Sequence, residues 1–416
     1  RGAEMDFNDS PAEAEYRAHV RAWLAASAPP RNQNANPGSI PPTEAERLRL
    51  ARDWQAKKAA AGFARITWGR EWGGAGGTAI QQAIFNQEES RFEVPTGIFG
   101  IGLGICMPTL MKIAAPDVAR RFVGPALRGE EIWCQLFSEP AAGSDLAGLR
   151  TRAVRSDDAT WVVNGQKVWT TGAHYADFGL LLARTDPAVP KHAGLTMFWI
   201  DMKSPGVEVR PIHQMSGAAE FNEVYLTDVR VPDTQRVGNI GGGWKASLVA
   251  LMNERVEGGK DRGPSLAQVL AVASATPKAR GTLLDDSSFR QKLARWHVQA
   301  EGLRLTRLRT LTALSRGQTP GPESSIGKLI AVRRLQELVG ELLDAQGACG
   351  VVTAPEAAAL RGALTDDLLR APGLRIAGGT DEILRNILAE RVLGMPGELR
   401  LDKDIPFNEL PGARKP

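Results

Sequence analysis

The sequence predicts an α+β chain built in three consecutive parts, and three changes of periodicity predict it. Apolar Tyr16, Val20, Trp23 and Leu24 recur at helical spacing; the period drops to two from about Ile132; helical spacing returns after Gly241-Gly242-Gly243. The expected boundaries are 5–131 for an N-terminal helical domain, 132–238 for a middle β domain and 239–400 for a C-terminal helical bundle. Three domains also suit 416 residues at about 150 residues each. The order of helices, strands and helices excludes a doubly wound sheet or a (β/α) barrel.

The first helix should open at Ser10-Pro11-Ala12-Glu13, where a hydroxyl cap, a proline at the first helical position and a carboxylate three residues on form a capping box. A polar loop, Pro29 to Pro42, precedes a second helix capped by Thr43 with Glu46, and Trp68 to Thr78 is a glycine-rich connection. Ile132–Phe137 is a strand candidate. Trp161–Trp169 carries Asn164-Gly165 at its centre and is expected to be a hairpin. Further strands are expected at Leu180–Ala183, Leu195–Ile200, Val207–Ile212 and Glu223–Val231, and long helices at Trp244–Val256, Phe289–Ser315, Ser325–Gln346 and Thr380–Leu393.

Composition narrows the function. With 43% hydrophobic and 24% charged residues, this is an ordinary folded composition. Fifty-one basic and 47 acidic side chains give a formal charge of +4 with no basic run that could track a phosphate backbone, so no nucleic-acid partner is expected. The most apolar stretch, Ile98 to Met111, is interrupted by glycines and Pro108 and falls short of the ~18 residues a bilayer span needs. Arg1-Gly2-Ala3-Glu4 before Met5 reads as a cloning remnant, and the acidic helix that follows is no export signal. With Cys106, Cys134 and Cys349 scattered outside any disulfide or metal spacing, a cytoplasmic, metal-free protein is expected.

Generic cofactor signatures fail. Gly100-Ile101-Gly102-Leu103-Gly104 lacks the third spaced glycine, and Gly321–Leu329 has one residue too many for a phosphate loop. Three other segments carry chemistry. Leu136–Asp145 ends a strand in hydroxyl, proline and small residues, exposing amide N–H groups suited to a heteroaromatic or phosphate edge; a plain turn is the alternative. Trp169-Thr170-Thr171-Gly172 places a flat ring beside two hydroxyls, which suits a flavin, although a core tryptophan has the same signature. Ile376–Ile383 turns through glycines into a helix N-terminus, an anion site or a plain N-cap at Thr380.

Together, Phe137-Ser138-Glu139-Pro140-Ala141-Ala142-Gly143-Ser144-Asp145, Asn164-Gly165-Gln166-Lys167-Val168-Trp169-Thr170-Thr171, Asp228-Val229-Arg230-Val231-Pro232 and Gly378-Gly379-Thr380-Asp381-Glu382-Ile383-Leu384-Arg385 resemble the acyl-CoA dehydrogenase family in content, order and interval, from Met5 to about Gly397. The resemblance implies that family's fold: a helical domain, an antiparallel β domain and a four-helix C-terminal bundle holding FAD across a subunit interface. It implies an enzyme of lipid catabolism that desaturates an acyl-CoA thioester to a trans-2-enoyl-CoA and passes electrons to electron-transferring flavoprotein. By motif position Gln135, Phe137, Ser138, Gly143, Ser144, Trp169, Thr170, Thr171, Thr380 and Glu382 would hold FAD, with Ser138 and Thr171 on the flavin and Trp169 beside its ring. Ser144, Met252, Arg255 and Gly379 would bind substrate, Ser144 at the CoA portion and Gly379 by the thioester. Assembly as a homodimer or homotetramer is implied, a heteromer being the alternative.

The chemistry needs a carboxylate to remove the thioester's α-proton while the β-hydrogen leaves as hydride on the opposite face, with hydrogen bonds stabilising the enolate-like oxygen. Many family members carry that Glu immediately before the Gly-Thr of the C-terminal motif, where this chain has Gly378. Other branches place it on the first helix of the C-terminal domain before an Arg. This chain has Glu254-Arg255 there, so Glu254 is the expected base, on the flank of a stripe formed by Trp244, Leu248, Leu251 and Arg255. A solvated helix carboxylate is the alternative. The segments that would hold a neighbour's FAD, Phe289–Gln291 and Ala345–Gly350, depart from the family pattern, which fits FAD held differently or in some subunits of a mixed tetramer. Gly378 leaves room beside the thioester for a bulky, branched or ring-bearing acyl chain. An oxidase using O₂ and a non-catalytic subunit are the rival functions.

Overall fold

The structure is a computed structural model describing residues 9–30, 43–157, 159–257, 263–315, 321–352 and 359–411, with backbone alone at 254–257, 311, 314, 315, 359 and 361. Five helices come first: α1 (Pro11–Ser27), α2 (Glu44–Ala60), α3 (Ala79–Glu89), α4 (Met107–Ile113) and α5 (Pro116–Leu127). Capping boxes open the first three, at Ser10/Glu13, Thr43/Glu46 and Thr78/Gln81, each satisfying two otherwise orphaned amides. Val20, Leu24, Trp54, Phe63, Ile66 and Phe85 form their core. A buried π turn, Gly102–Cys106, leads into α4, and a Cβ at Gly102 would stand 3.3 Å from the Trp133 side chain, so the glycine serves close packing.

The strands are β1 (Trp133–Leu136), β2 (Arg152–Arg155), β3 (Thr160–Thr171), β4 (Phe178–Arg184), β5 (Leu195–Asp201), β6 (Val207–Ile212), β7 (Phe221–Pro232) and β8 (Arg236–Val237). They form a sheet in the order β6-β7-β3-β2-β4-β5-β8, with β1 against β4. The pairings are antiparallel except that β1 and β2 run parallel to β4. The expected hairpin is corrected: β3 runs unbroken through Asn164-Gly165, paired with β7. The dipeptide serves a register shift between Val163 and Gly165 instead of a reversal. A Cβ on Gly165 would stand 2.6 Å from the Thr151 Cα, so glycine admits the chain entering β2. A second register shift follows between Lys167 and Thr170.

The closing helices are α6 (Gly243–Glu257), α7 (Leu266–Ala275), α8 (Ser287–Ser315), α9 (Ser325–Ala345), α10 (Ala363–Ile376) and α11 (Asp381–Arg391). Helices α7 and α10, of 10 and 14 residues, lie outside the four that periodicity marks. On helix α6 the buried row is Gly243, Ala246, Ser247 and Ala250; of the stripe, Trp244 and Leu251 pack partly buried against the core and Leu248 is 43% exposed. Small residues win because the helix lies directly on the sheet; a Cβ at Gly243 would stand 2.7 Å from the backbone of Leu195 and Thr196.

Lys167 is wholly buried in β3. Its ammonium donates to the Phe137 carbonyl at 3.0 Å and to Glu139 Oε1 at 2.8 Å. The Glu139 carboxylate accepts the amides of Arg150 at 2.6 Å and Thr151 at 2.8 Å. Burial alone would raise the Glu139 carboxyl; the facing ammonium and the amide donors overcome it and hold the group below the usual carboxylate range.

Lys167→Met should lower the free energy of unfolding by about 3–5 kcal/mol, because it strands a buried carboxylate, and adding Glu139→Gln should recover much of that loss, both measured by urea denaturation. In Lys167→Met the stranded carboxyl becomes hard to ionise, so the folded state holds its proton more tightly than the unfolded state. The deficit should therefore shrink as pH falls from about 7 to about 4. Gly165→Ala should cost about 1–3 kcal/mol through its clash with Thr151, read in the same assay; an unchanged midpoint would contradict the close approach.

Candidate active site

Two motif segments meet at the end of β1 and the middle of β3. Gln135 lies on β1, part-exposed and level with Leu180 of β4, and Phe137 is buried. The Ser138 carbonyl accepts the Val168 amide at 2.9 Å, next to the Lys167 bond to the Phe137 carbonyl. Glu139 and Ala142 then exchange amide bonds of 3.0 Å each, a tight turn that leaves Gly143 and Ser144 exposed beyond it. Gly143 has open space where a Cβ would stand. The plain-turn alternative thus holds for Glu139–Ala142, while the residues after it remain accessible.

Trp169 sits on the second β3 bulge with φ of +59°, the left-handed region that non-glycine residues seldom occupy. Its ring is 58% exposed, edge-on to Phe221 at 5.9 Å, so it is no core tryptophan. The bulge reverses the alternation: Thr170 turns inward, where its hydroxyl is buried and has no hydrogen-bond partner in the structure. Thr171 is half-buried beside it, and Asn222 Nδ2 donates to the Thr170 carbonyl at 2.9 Å. A large exposed ring on strained backbone beside an unsatisfied hydroxyl is the geometry of a surface that takes a flat polar ligand.

The C-terminal motif stands on the helical side. Gly378 and Gly379 both have left-handed backbone, with φ of +65° and +93°. The Lys328 ammonium donates to the Gly379 carbonyl and, at 3.3 Å, to that of Arg375. Thr380 caps α11, its hydroxyl accepting the Ile383 amide at 3.2 Å. Arg375 holds buried Asp381 through contacts of 2.9 and 2.5 Å, and Glu382 is exposed. This turn is tied to the β domain through Arg370 of α10, 3.2 Å from Glu220, whose carbonyl accepts the Gly172 amide just after Thr171.

Helix α6 packs on β4, β5, α4 and the π turn. Met252 is 54% exposed on it. The backbone at Glu254 and Arg255 is helical, and their side chains lie outside the described residues. Sequence reading assigned no role to Lys167, Glu139, Arg184 or Lys191, which fix the loops of the site. A lysine amid the apolar alternation of a strand was the available signal for the first.

Among the described residues no helix is long and apolar enough to cross a membrane. Models of the acyl-CoA dehydrogenase N-terminal, middle and C-terminal domains match residues 10–130, 134–229 and 241–393. Acyl-CoA dehydrogenase FadE34 of Mycobacterium tuberculosis is 40% identical over 78% of this chain, which spans 43% of that protein's length. Acyl-CoA dehydrogenase IpdE1 of the same organism is 35% identical over 93% of this chain and 98% of its own. A solved structure described as "Tcur3481-Tcur3483 steroid ACAD" superposes with a TM-score of 0.79 at 27% identity, covering 95% of this chain and all of that one. Three matched domains in order on the observed helix–sheet–helix architecture establish that this chain belongs to the acyl-CoA dehydrogenase family.

Proposed function

We propose that the protein is an FAD-dependent acyl-CoA dehydrogenase that converts an acyl-CoA thioester to its trans-2-enoyl-CoA in the cytoplasm and passes electrons to electron-transferring flavoprotein. The observation that carries this reading is the Trp169–Thr170 bulge, with its exposed ring and unsatisfied buried hydroxyl, bonded to the strand end that bears Ser138. These features fit a flavin: Trp169 would lie along its ring, and Ser138, Thr170 and Thr171 would supply hydroxyls at its polar edge, with Gln135, Phe137 and Gly143 around them. Bound there, FAD supplies the acceptor for the hydride.

This chain's residues provide the rest. Ser144, exposed past the Glu139–Ala142 turn, would bind the CoA portion, and Gly379 the thioester end. Glu254 is proposed as the base that takes the α-proton. Its position continues, by the helical period, the row of Gly243, Ser247 and Ala250 that α6 lays on the sheet. Arg255 would bind substrate or order the base, and Met252 would line the acyl side. Thr380 and Glu382, at the start of α11, would meet FAD from the helical side.

The ring-bearing acyl class is supported by Gly378, which removes a side chain beside the thioester, and by the structural relative described as a steroid enzyme. Assembly with further copies or a second chain would complete the FAD site, since Phe289–Gln291 and Ala345–Gly350 depart from the family pattern.

The test is anaerobic titration of the purified protein with straight, branched and steroid-type acyl-CoA thioesters, following the visible flavin band. Bleaching by the steroid-type class is expected; a flavin that no thioester bleaches would overturn the dehydrogenase reading. Glu254→Gln should keep its flavin and reduce it about 10²- to 10⁴-fold more slowly. Trp169→Ala should weaken FAD binding about tenfold where Trp169→Phe does not, read by fluorescence titration of the apoprotein.

A further inference from the structure

The residues matched by the C-terminal family model stop at 393, and after an exposed stretch residues 402–408 come back against the fold. They return to the sheet and bind the loop between β4 and β5. Pro406 bridges to Pro190, the Phe407 amide donates to the Val189 carbonyl at 2.9 Å, and the Asn408 amide donates to that of Pro187 at 3.0 Å. The Phe407 ring centroid lies 3.5 Å from the Arg184 guanidinium carbon, and Asp402 Oδ2 lies 2.5 Å from the Lys191 ammonium.

Both cations lead to the turn that carries Ser144. Lys191 also pairs with Asp145, the next residue, at 2.8 Å. Arg184 is buried and donates to the carbonyls of Ala147 at 2.5 Å, Leu149 at 3.1 Å and Lys191 at 3.2 Å. The same loop reaches the helix of the proposed base, where the His192 ring stands edge-on to Trp244 at 4.7 Å. Burial alone would lower the Lys191 ammonium; the hydrogen-bonded carboxylates facing it hold it above its ordinary range.

We propose that residues 402–408 form a strap that positions the Ser144–Asp145 turn for the CoA end of the thioester, with Phe407 and Asp402 as positioning residues. This rests on Ser144 as the CoA contact. Phe407 covers the open face of a desolvated guanidinium, where a cation–π contact is strongest. Without it water reaches Arg184, and the loop from Pro187 to Lys191 loses its packing on one side. Asp402, more than a third exposed, contributes less.

The test uses the full chain loaded with FAD, coenzyme A as the calorimetric probe, and steady-state kinetics with whichever thioester bleaches the flavin. Phe407→Ala should raise the Kd for coenzyme A and the KM together by about tenfold, with kcat within about twofold and flavin content unchanged. Phe407→Tyr should restore both, and Asp402→Asn should raise KM about threefold. A folded Phe407→Ala protein with unchanged coenzyme A affinity overturns the strap, as does an equal fall in kcat and kcat/KM. If Phe407→Ala does not fold, Asp402→Asn decides, and an unchanged KM overturns the proposal. A wild-type protein that binds no coenzyme A overturns the reading of Ser144 itself, a separate failure seen before any variant is made.

Discussion

A lysine ammonium with no access to water holds this molecule's working parts in register. Taking an ammonium and a carboxylate out of solvent costs several kcal/mol each, and the cost is met only if both are fully hydrogen-bonded. Lys167 and Glu139 meet that condition by drawing in the carbonyl of Phe137 and the amides of Arg150 and Thr151. The pair therefore fixes the end of β1, the approach to β2 and the middle of β3 against one another. Immediately after Lys167, β3 shifts register against β7, and that shift sends Trp169 outward and Thr170 inward. The strained Trp169 backbone persists because both sides of it are pinned: Val168 to Ser138, and Thr170 to Asn222.

A second constraint is the approach of α6 to the sheet. Gly243, Ala246, Ser247 and Ala250 bring its backbone to the backbone of β5, nearer than larger residues would permit. Burying that row leaves Leu248 and Met252 largely exposed. This arrangement favours close approach to the sheet over burial of every large apolar side chain. The π turn beneath it has the same character: five buried residues, two of them glycine, packed on Trp133 and β1.

Most of the fold was legible because its signals were local. The caps at Ser10 and Thr43 read directly from sequence, and β6 runs from Val207 to Ile212 as its alternation indicates. Where local signals served two masters, reading went astray. Asn164-Gly165 suits a tight turn and a bulge equally, and the choice was made by Thr151, twelve or more residues away, crossing over the glycine. On α6 the apolar stripe is legible in sequence, but distance to the sheet, which sequence does not state, puts the small residues Gly243, Ala246, Ser247 and Ala250 deepest. The site divides the same way. Motif reading singled out Ser138, Ser144, Trp169 and Thr380, whereas the ion pairs near them are partnerships between segments far apart in the chain, as with Lys191 between Asp145 and Asp402.

The C-terminal turn explains why the base is sought on α6. Two consecutive left-handed residues, Gly378 and Gly379, carry the chain into α11, and a side chain bearing a Cβ at 378 would meet the left-handed penalty of about 1–2 kcal/mol. Two carboxylates follow the glycines and differ in setting. Asp381 is buried and held twice by Arg375, while Glu382 faces solvent. Thr380 spends its hydroxyl on the Ile383 amide. In the proposed reaction a turn with left-handed glycines and carbonyls held by Lys328 would present backbone to the thioester, with no carboxylate at position 378 itself. Within the proposed reaction Gly378 leaves the proton to a carboxylate on another element, and α6, seated on the sheet that carries Trp169, bears two, Glu254 and Glu257, of which Glu254 stands directly before Arg255 as the proposed base.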